Sequence, residues 1–216
     1  MKYIYSHLGL GDHIICNGLV RHYCELYGEV SVFCKPINYN NVSYMYRDNN
    51  NIKVLPIGED YDVNNFILSN NIIKDTIIVG FGRAHSSKFD DEFYKSVNLP
   101  FEYRFSKFFL LRDYDKENEI LKTLNPTNEP YIFIHGVDKN KIRTDLKIIE
   151  NPIQYNLFHL LTLIENSTEV HLMESSIKNL VNSYKIDKPM FFYHQYARGY
   201  PDYNNTQGLN EYQIIF

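Results

Sequence analysis

The sequence predicts an α/β fold in two halves, each a parallel sheet covered by helices on both faces. Three observations carry that prediction. Short β-branched or aromatic runs alternate with helical patterns along almost all of the 216 residues. Several of those runs are too apolar for burial on one face only, as strands of a parallel sheet should be. A cluster of turn formers, Asn125-Pro126-Thr127-Asn128-Glu129-Pro130, separates two such series.

In the first series, Lys2 to Ser6 reads as a strand and Asp12 to Leu26 as a helix. Ile15, Leu19, Tyr23 and Leu26 form its apolar stripe, and Gly28 stops it. Val30 to Cys34 is a second strand and Asn38 to Tyr46 a helix. Ile52 to Pro56 is a third strand and Val63 to Ser69 a further helix. Thr76 to Phe81 (TIIVGF) is the clearest buried strand of this half. The pattern then loosens from Ala84 to Arg112, with a short helix over Asp90 to Val97 and a strand over Phe108 to Arg112. Asp115 to Leu124 is a polar helix that ends at the turn-former cluster.

The second series opens with a strand, Tyr131 to Ile134, and a polar loop from His135 to Leu146. Strands follow at Lys147 to Ile149, Glu169 to Met173 and Met190 to Tyr193, with helices at Gln154 to Glu165 and Ser175 to Tyr184. The Tyr- and Asn-rich tail is expected to wrap back over the body. The domains are therefore 1–124 and 131–216, two Rossmann-like halves expected to face one another across a cleft.

Composition narrows the class. Hydrophobic content of 44 % with 22 % charged residues is that of a soluble globular protein. A formal net charge of −4 argues against a general nucleic-acid partner. No apolar run reaches membrane-spanning length; Lys107-Phe108-Phe109-Leu110-Leu111 is strand-sized. The N-terminus has no signal-peptide pattern, and Cys16, Cys24 and Cys34 lack Cys-x-x-Cys spacing. Reduced thiols and a cytoplasmic location are the expectation.

The loop His7-Leu8-Gly9-Leu10-Gly11-Asp12-His13 joins the first strand to the first helix, where ligands of parallel α/β sheets bind. Gly9 and Gly11 suit a turn that lets a ligand approach the main chain, and Asp12 sits where an N-cap would sit. The loop is not a dinucleotide fingerprint, because Ile14 stands at the third glycine position and Lys35 follows the second strand. It is not a mononucleotide P-loop either, because Gly11 precedes Asp12-His13. Asp12 thus reads either as a helix cap or as a functional carboxylate, and the flanking His7 and His13 favour the second. Metal binding by the two histidines has no third ligand at a recognisable spacing.

A second strand-to-helix turn, Glu174-Ser175-Ser176, offers hydroxyls and backbone N–H groups to an anion, or a plain serine cap. The loop after YIFIH adds His135, Gly136, Lys139, Lys141 and Arg143. Arg143 is the strongest phosphate ligand of that set, since a guanidinium binds phosphate oxygens bidentately. Lys139 and Lys141 read as solvated charges.

The Gly-x-Gly-Asp turn resembles that of GT-B glycosyltransferases, and most closely the heptosyltransferase-like group, which carries a Gly-Asp at this place. The segment LIENSTEVHLMESSIKNLVNSY is similar to the donor side of such enzymes, and FDDEFYKSVNLPFEYRFSKF to small glycosyltransferase-like proteins of phages and large viruses. The chain departs from the group in being short and in carrying Glu174-Ser175-Ser176, followed by Lys178-Asn179, where Asp-Thr/Ser-Gly and a His are usual. The resemblance implies an inverting, metal-independent transfer from a nucleotide sugar, a co-substrate rather than a cofactor, to a carbohydrate or other hydroxyl acceptor. It gives Asp12 the role of general base, with His13 in reserve, and His7, Gly9 and Gly11 the acceptor side. His135, Gly136, Arg143, Glu174, Ser175 and Ser176 become the donor side. The rival readings are a non-catalytic glycan- or nucleotide-sugar-binding protein of the same fold and another phosphate-handling enzyme.

Overall fold

The computed structural model describes residues 1–81, 89–198 and 208–215, which fold as two compact units, Met1–Leu111 and Arg112–Phe216. The first unit alternates β1 (Lys2–Tyr5), α1 (Leu10–Ile15), α2 (Asn17–Tyr27), β2 (Val30–Cys34), α3 (Tyr39–Met45), β3 (Ile52–Pro56), α4 (Asp60–Ser69) and β4 (Thr76–Ile78). Two short helices, α5 (Phe89–Lys95) and α6 (Tyr103–Ser106), complete it. Its four strands are all parallel in the order β3-β2-β1-β4, with Tyr3 opposite Ser31 and Thr76. Tyr5, Leu8, Phe33, Val63 and Ile67 form an apolar cluster between this sheet and α4.

The second unit comprises α7 (Tyr114–Leu124), β5 (Tyr131–His135), β6 (Lys147–Glu150), α8 (Leu161–Glu165), β7 (Glu169–Leu172), α9 (Ser176–Asn182), β8 (Met190–His194) and β9 (Tyr212–Ile215). Five parallel strands run in the order β6-β5-β7-β8-β9. Tyr131, Phe133, Val170, Leu172 and Phe191 pack from the sheet against Ile120 of α7, Leu163 and Ile164 of α8, and Ile177 and Val181 of α9.

Several elements differ from the sequence expectation. The first helix is two helices, broken at Cys16, whose backbone lies at φ −80°, ψ 0°. Thr76 to Phe81 is not a buried strand: β4 ends at Ile78, has β1 as its one neighbour among the described residues, and leaves Ile78 55 % exposed. Apolar composition there marks an edge rather than a centre. No strand forms over Phe108 to Arg112, because a side chain supplies the ladder. The Asn17 amide oxygen accepts from Phe109 N (3.1 Å), and Asn17 Nδ2 and Arg21 Nη2 donate to Phe109 O (3.3 and 3.0 Å). A 3₁₀ turn over Leu157–Leu160 replaces the first part of the helix expected from Gln154.

The boundary between units falls before α7, not within Asn125–Pro130. Fully buried Glu117 of α7 accepts from Thr162 N (3.0 Å) and Thr162 Oγ1 (2.7 Å) and pairs with Arg112, which also reaches Glu165 (2.6 Å). Those bonds fix α7 to α8, so the turn-former cluster is the α7–β5 turn inside the second unit. The tail supplies a strand that periodicity did not give, β9, laid parallel to β8.

Candidate functional site

Each sheet reverses its strand order once. In the first, β2 and β3 lie on one side of β1 and β4 on the other. In the second, β6 lies on one side of β5 and β7 on the other. Crevices of parallel α/β sheets open at such reversals, beyond the carboxyl ends of the strands. The two loops singled out from the sequence leave β1 and β7, and both stand at these places.

In the first unit, Gly9 precedes α1 with φ −72°, ψ 145°, an extended backbone open to any residue. The absence of a side chain matters instead, since a Cβ on Gly9 would lie 2.6 Å from Asp12 Oδ2. Gly9 is the residue at the helix cap position, and Gly11 and Asp12 are already inside α1. Asp12 is therefore not at the N-cap position, one of the two readings the sequence left for it. Its half-buried carboxylate folds back toward Gly9 over the first turn, and its charge joins burial in pushing the Cys16 thiol up. The loop is pinned by Asn38 Nδ2, which donates to Leu8 O (2.9 Å).

His7 and His13 part company. His13 is buried, its Nε2 has no hydrogen-bond partner, and burial pulls its pKa down to about 4, so it is neutral at physiological pH. His7 is half-buried and turns toward β4. Its Nε2 lies 3.4 Å from Gly80 O, its ring stacks on Phe81 at 4.4 Å, and Phe93 meets it edge-on at 5.7 Å. Phe81 was not among the residues chosen from the sequence. Gly80, at φ +82°, leaves no room for a Cβ against Phe93 and turns Phe81 outward.

In the second unit, Gly136 takes φ +69°, and a Cβ there would lie 2.4 Å from Met173 Sδ. The ends of β5 and β7 thus touch at this glycine, with half-buried His135 beside it, its pKa lowered by burial. Ser175 caps α9 by accepting from Lys178 N (3.3 Å), and Ser176 is the first residue of that helix. Lys178 is the residue whose importance the sequence hid. It is 0 % exposed, donates to Glu174 Oε2 at 2.7 Å, and lies 4.4 Å above the Tyr193 ring. The i, i+4 spacing of Glu174 and Lys178 was the available signal, but that spacing usually marks a solvated helix face.

The cation cluster expected after β5 is divided. Lys139 pairs with Glu150 (3.1 Å), and Lys141 sits 4.1 Å over the Tyr196 ring. Arg143 is exposed and forms no ion pair or hydrogen bond with a described residue. Contacts among the described residues do not join it to Glu174, Ser175 or Ser176.

A hydrogen-bonded chain that the sequence gave no sign of crosses from β7 to β8. His171 Nε2 meets Glu169 Oε2 (2.9 Å), His171 Nδ1 meets His194 Nε2 (2.9 Å), and His194 Nδ1 meets the Tyr196 hydroxyl (3.1 Å). A carboxylate can only accept, so His171 donates from Nε2, His194 donates to His171, and Tyr196 donates to His194. Burial, the neighbouring His171 and Lys141 hold the His194 pKa down at about 4.

This architecture has counterparts among solved structures. The glycosyl transferase family 9 protein of Veillonella parvula matches with a TM-score of 0.55 at 8 % identity, over 99 % of this chain and 86 % of that one. The E. coli ADP-heptose LPS heptosyltransferase II matches with a TM-score of 0.58 at 10 % identity, over 100 % and 90 %. The fold is that of the GT-B glycosyltransferases. Sequence comparison adds nothing to it, since no family model and no curated protein matches. Two parallel sheets with flanking helices therefore agree with the resemblance seen in the Gly-x-Gly-Asp turn, at the level of fold. Among the described residues no helix is long and apolar enough to cross a membrane, and no group of three or more His, Cys, Asp or Glu side chains is placed to hold a metal ion.

Proposed function

We propose that the chain is a glycosyltransferase that moves a sugar from a nucleotide-sugar donor to a hydroxyl of a glycan or other acceptor, with inversion and without a metal. The observation that supports it most is Asp12, a half-buried carboxylate on the first helical turn beyond β1, in a chain matched over 99–100 % of its length by two glycosyltransferase structures. The donor class is carried over from the E. coli neighbour, an ADP-heptose enzyme.

In this reading the acceptor oxygen attacks the anomeric carbon while Asp12 takes the hydroxyl proton, and the bond to the diphosphate breaks with its electron pair. Neutral His13 is the reserve base. The negative charge that develops on the leaving nucleoside diphosphate is met by Arg143, by the Ser176 hydroxyl and by main-chain N–H groups at the start of α9. His135 and Gly136 line the donor side, and His7, Gly9 and Gly11 the acceptor side. Asp12→Asn should lower transfer at least ~100-fold with donor binding and the unfolding midpoint unchanged. A variant that keeps full activity would remove Asp12 from the mechanism.

A second reading, a non-catalytic binding protein of the same fold, is favoured by the β7–α9 turn. There the Glu174 carboxylate faces Lys178 and the Ser175 hydroxyl caps α9, so both are engaged within the protein. A transfer and hydrolysis assay over a panel of nucleotide sugars separates the two. Turnover of any donor supports transfer, whereas glycan binding without turnover supports the second reading.

A further inference from the structure

The proposed transfer has no use for the Glu169–His171–His194–Tyr196 chain, although burying an imidazole is costly unless its nitrogens are paired. His171 and His194 are both buried, and His171 stacks on Phe192 at 4.5 Å with 10° between the planes. All four ring nitrogens have partners, and the donors point one way, from the Tyr196 hydroxyl toward the Glu169 carboxylate. Bonds aligned head to tail polarise one another, and the last of them fixes the phenol. At the outer end of the chain the Tyr196 ring stands edge-on to His194, at 5.5 Å and 80°. The Lys141 ammonium lies 4.1 Å from the centroid of that ring. Lys141 ends the 3₁₀ turn Lys139–Lys141, in which Asp138 O accepts from Lys141 N (3.0 Å) and Lys139 O from Ile142 N (3.1 Å). Arg143 is the next residue after Ile142.

We propose that Tyr196 is a positioning residue: the buried chain fixes its ring as a cation–π seat for Lys141, and the seat holds the β5–β6 loop at the carboxyl end of β8. A phenol that donates its proton to a hydrogen bond has a more electron-rich ring, so the chain strengthens the seat as well as orienting it. The seat depends on the charge of His194. In the neutral imidazole, Nδ1 accepts from the phenol. In the protonated one Nδ1 can only donate, so the phenol must accept and turn its own proton away, and a second cation then lies near the ammonium. Lys141 helps to hold the His194 pKa low, so by reciprocity a proton on His194 loosens Lys141. Among the described residues, the other charged groups that bear on the chain are Glu169, bonded to His171, and Asp138, whose charge acts on Tyr196. From the neighbouring strand β9, Ile215 stands opposite His194. The seat does not rest on the transferase reading; the use of Arg143 on a diphosphate does.

Amide hydrogen exchange on the full chain, read at Lys141 and Ile142 against the ladder amides of β5, tests the seat. Tyr196→Leu should lower the protection of both turn amides roughly two- to fivefold at neutral pH, the worth of one exposed cation–π contact, with β5 unchanged. Lys141→Met should lose as much, and the double variant no more than either alone. In the wild type the turn amides should lose protection relative to β5 as the pH falls toward 4. NMR titration of the imidazoles gives a readout that a merely structural turn would not move. In Lys141→Met the proton affinity of His194 should rise roughly two- to fivefold. Unchanged protection in Tyr196→Leu, additive losses in the double variant, or an unaltered His194 titration overturns the proposal. Titration with ADP keeps the seat apart from the transferase reading. Lost protection with ADP unbound, or bound equally well, supports the seat and counts against a donor role for Arg143.

Discussion

The two sheets reverse their strand order in the same way and build opposite chemistry at the reversal. Beyond β1 and β4 stand His7, Phe81 and Phe93, with Asp12 on the first turn of α1. Beyond β5 and β7 stand a buried ion pair, two serines and a loop of cations. Topology decides where a ligand can approach a parallel sheet, and the side chains at that place decide what it can be. A turn with hydroxyls and main-chain N–H groups suits phosphate oxygens.

Replacing Lys178 by Met tests this contrast most severely. Removing the ammonium takes the Lys178 charge away from the nearly buried Glu174 carboxylate, and the unit should lose about 3–5 kcal/mol of stability. Adding Glu174→Gln should restore most of the loss. Urea unfolding of both variants measures it. A loss below about 1 kcal/mol in Lys178→Met would show that the charged turn of the second unit does not hold its fold together.

The same contrast explains what the sequence made legible. Parallel strands and their glycine-bearing ends could be read because β-branched runs and Gly9, Gly11 and Gly136 are local signals. The placement of charge could not. All but the first residue of α9, Ile177 to Asn182, is buried, so Lys178 is assigned to the interior by Glu174 and Tyr193 rather than by periodicity. Phe81 reads as a buried strand residue until β4 proves to be an edge that stops at Ile78. The Glu169–His171–His194–Tyr196 chain links two strands and a turn, a juxtaposition set by register, with His171 opposite Phe192. The position of α7 also escaped, because Glu117 looks like a surface residue until Arg112 and Thr162 surround it.

Buried histidines give the units a second difference, tested by acid. His13 and His194 both have folded pKa values near 4, below the ordinary 6.5 of the unfolded chain. Between those values the unfolded chain takes up protons that the folded chain refuses. Stability should therefore be level above pH 6.5 and fall as the pH drops toward 4, by roughly 3 kcal/mol for each group. His13→Gln should remove that sensitivity from the first unit. In the second, protonating His194 at Nδ1 requires the Tyr196 hydroxyl to reverse, so Tyr196 should report the transition. Thermal unfolding between pH 4 and 8 with NMR titration of the imidazoles checks both. Imidazoles that titrate near 6.5 would show that neither environment excludes the charge.

The glycines differ in kind, and single alanines separate them. Gly136→Ala meets both a positive φ and the Met173 side chain, and should cost about 1–3 kcal/mol. Gly9→Ala has an allowed backbone and meets only the end of the Asp12 side chain. Its stability cost should stay under about 1 kcal/mol, while displacement of Asp12 lowers transfer. If Gly9→Ala instead unfolds the first unit with activity per folded molecule intact, the loop is structural, and Asp12 is not held for chemistry.

The smallest structural effect is expected at Arg143, and it bears on the donor side. The guanidinium is exposed and paired with no described residue, so Arg143→Ala should change stability by no more than about 0.5 kcal/mol. A charge-assisted contact to a diphosphate is worth about 1.5–3 kcal/mol, so the Kd for the nucleotide sugar should rise roughly tenfold or more. Lys139→Ala is the control on the same loop, since Glu150 already neutralises that ammonium. It should leave the Kd within about twofold. Isothermal titration of both variants distinguishes recognition by one guanidinium from attraction by a charged loop, because equal losses at Arg143 and Lys139 would mean that only the summed charge matters.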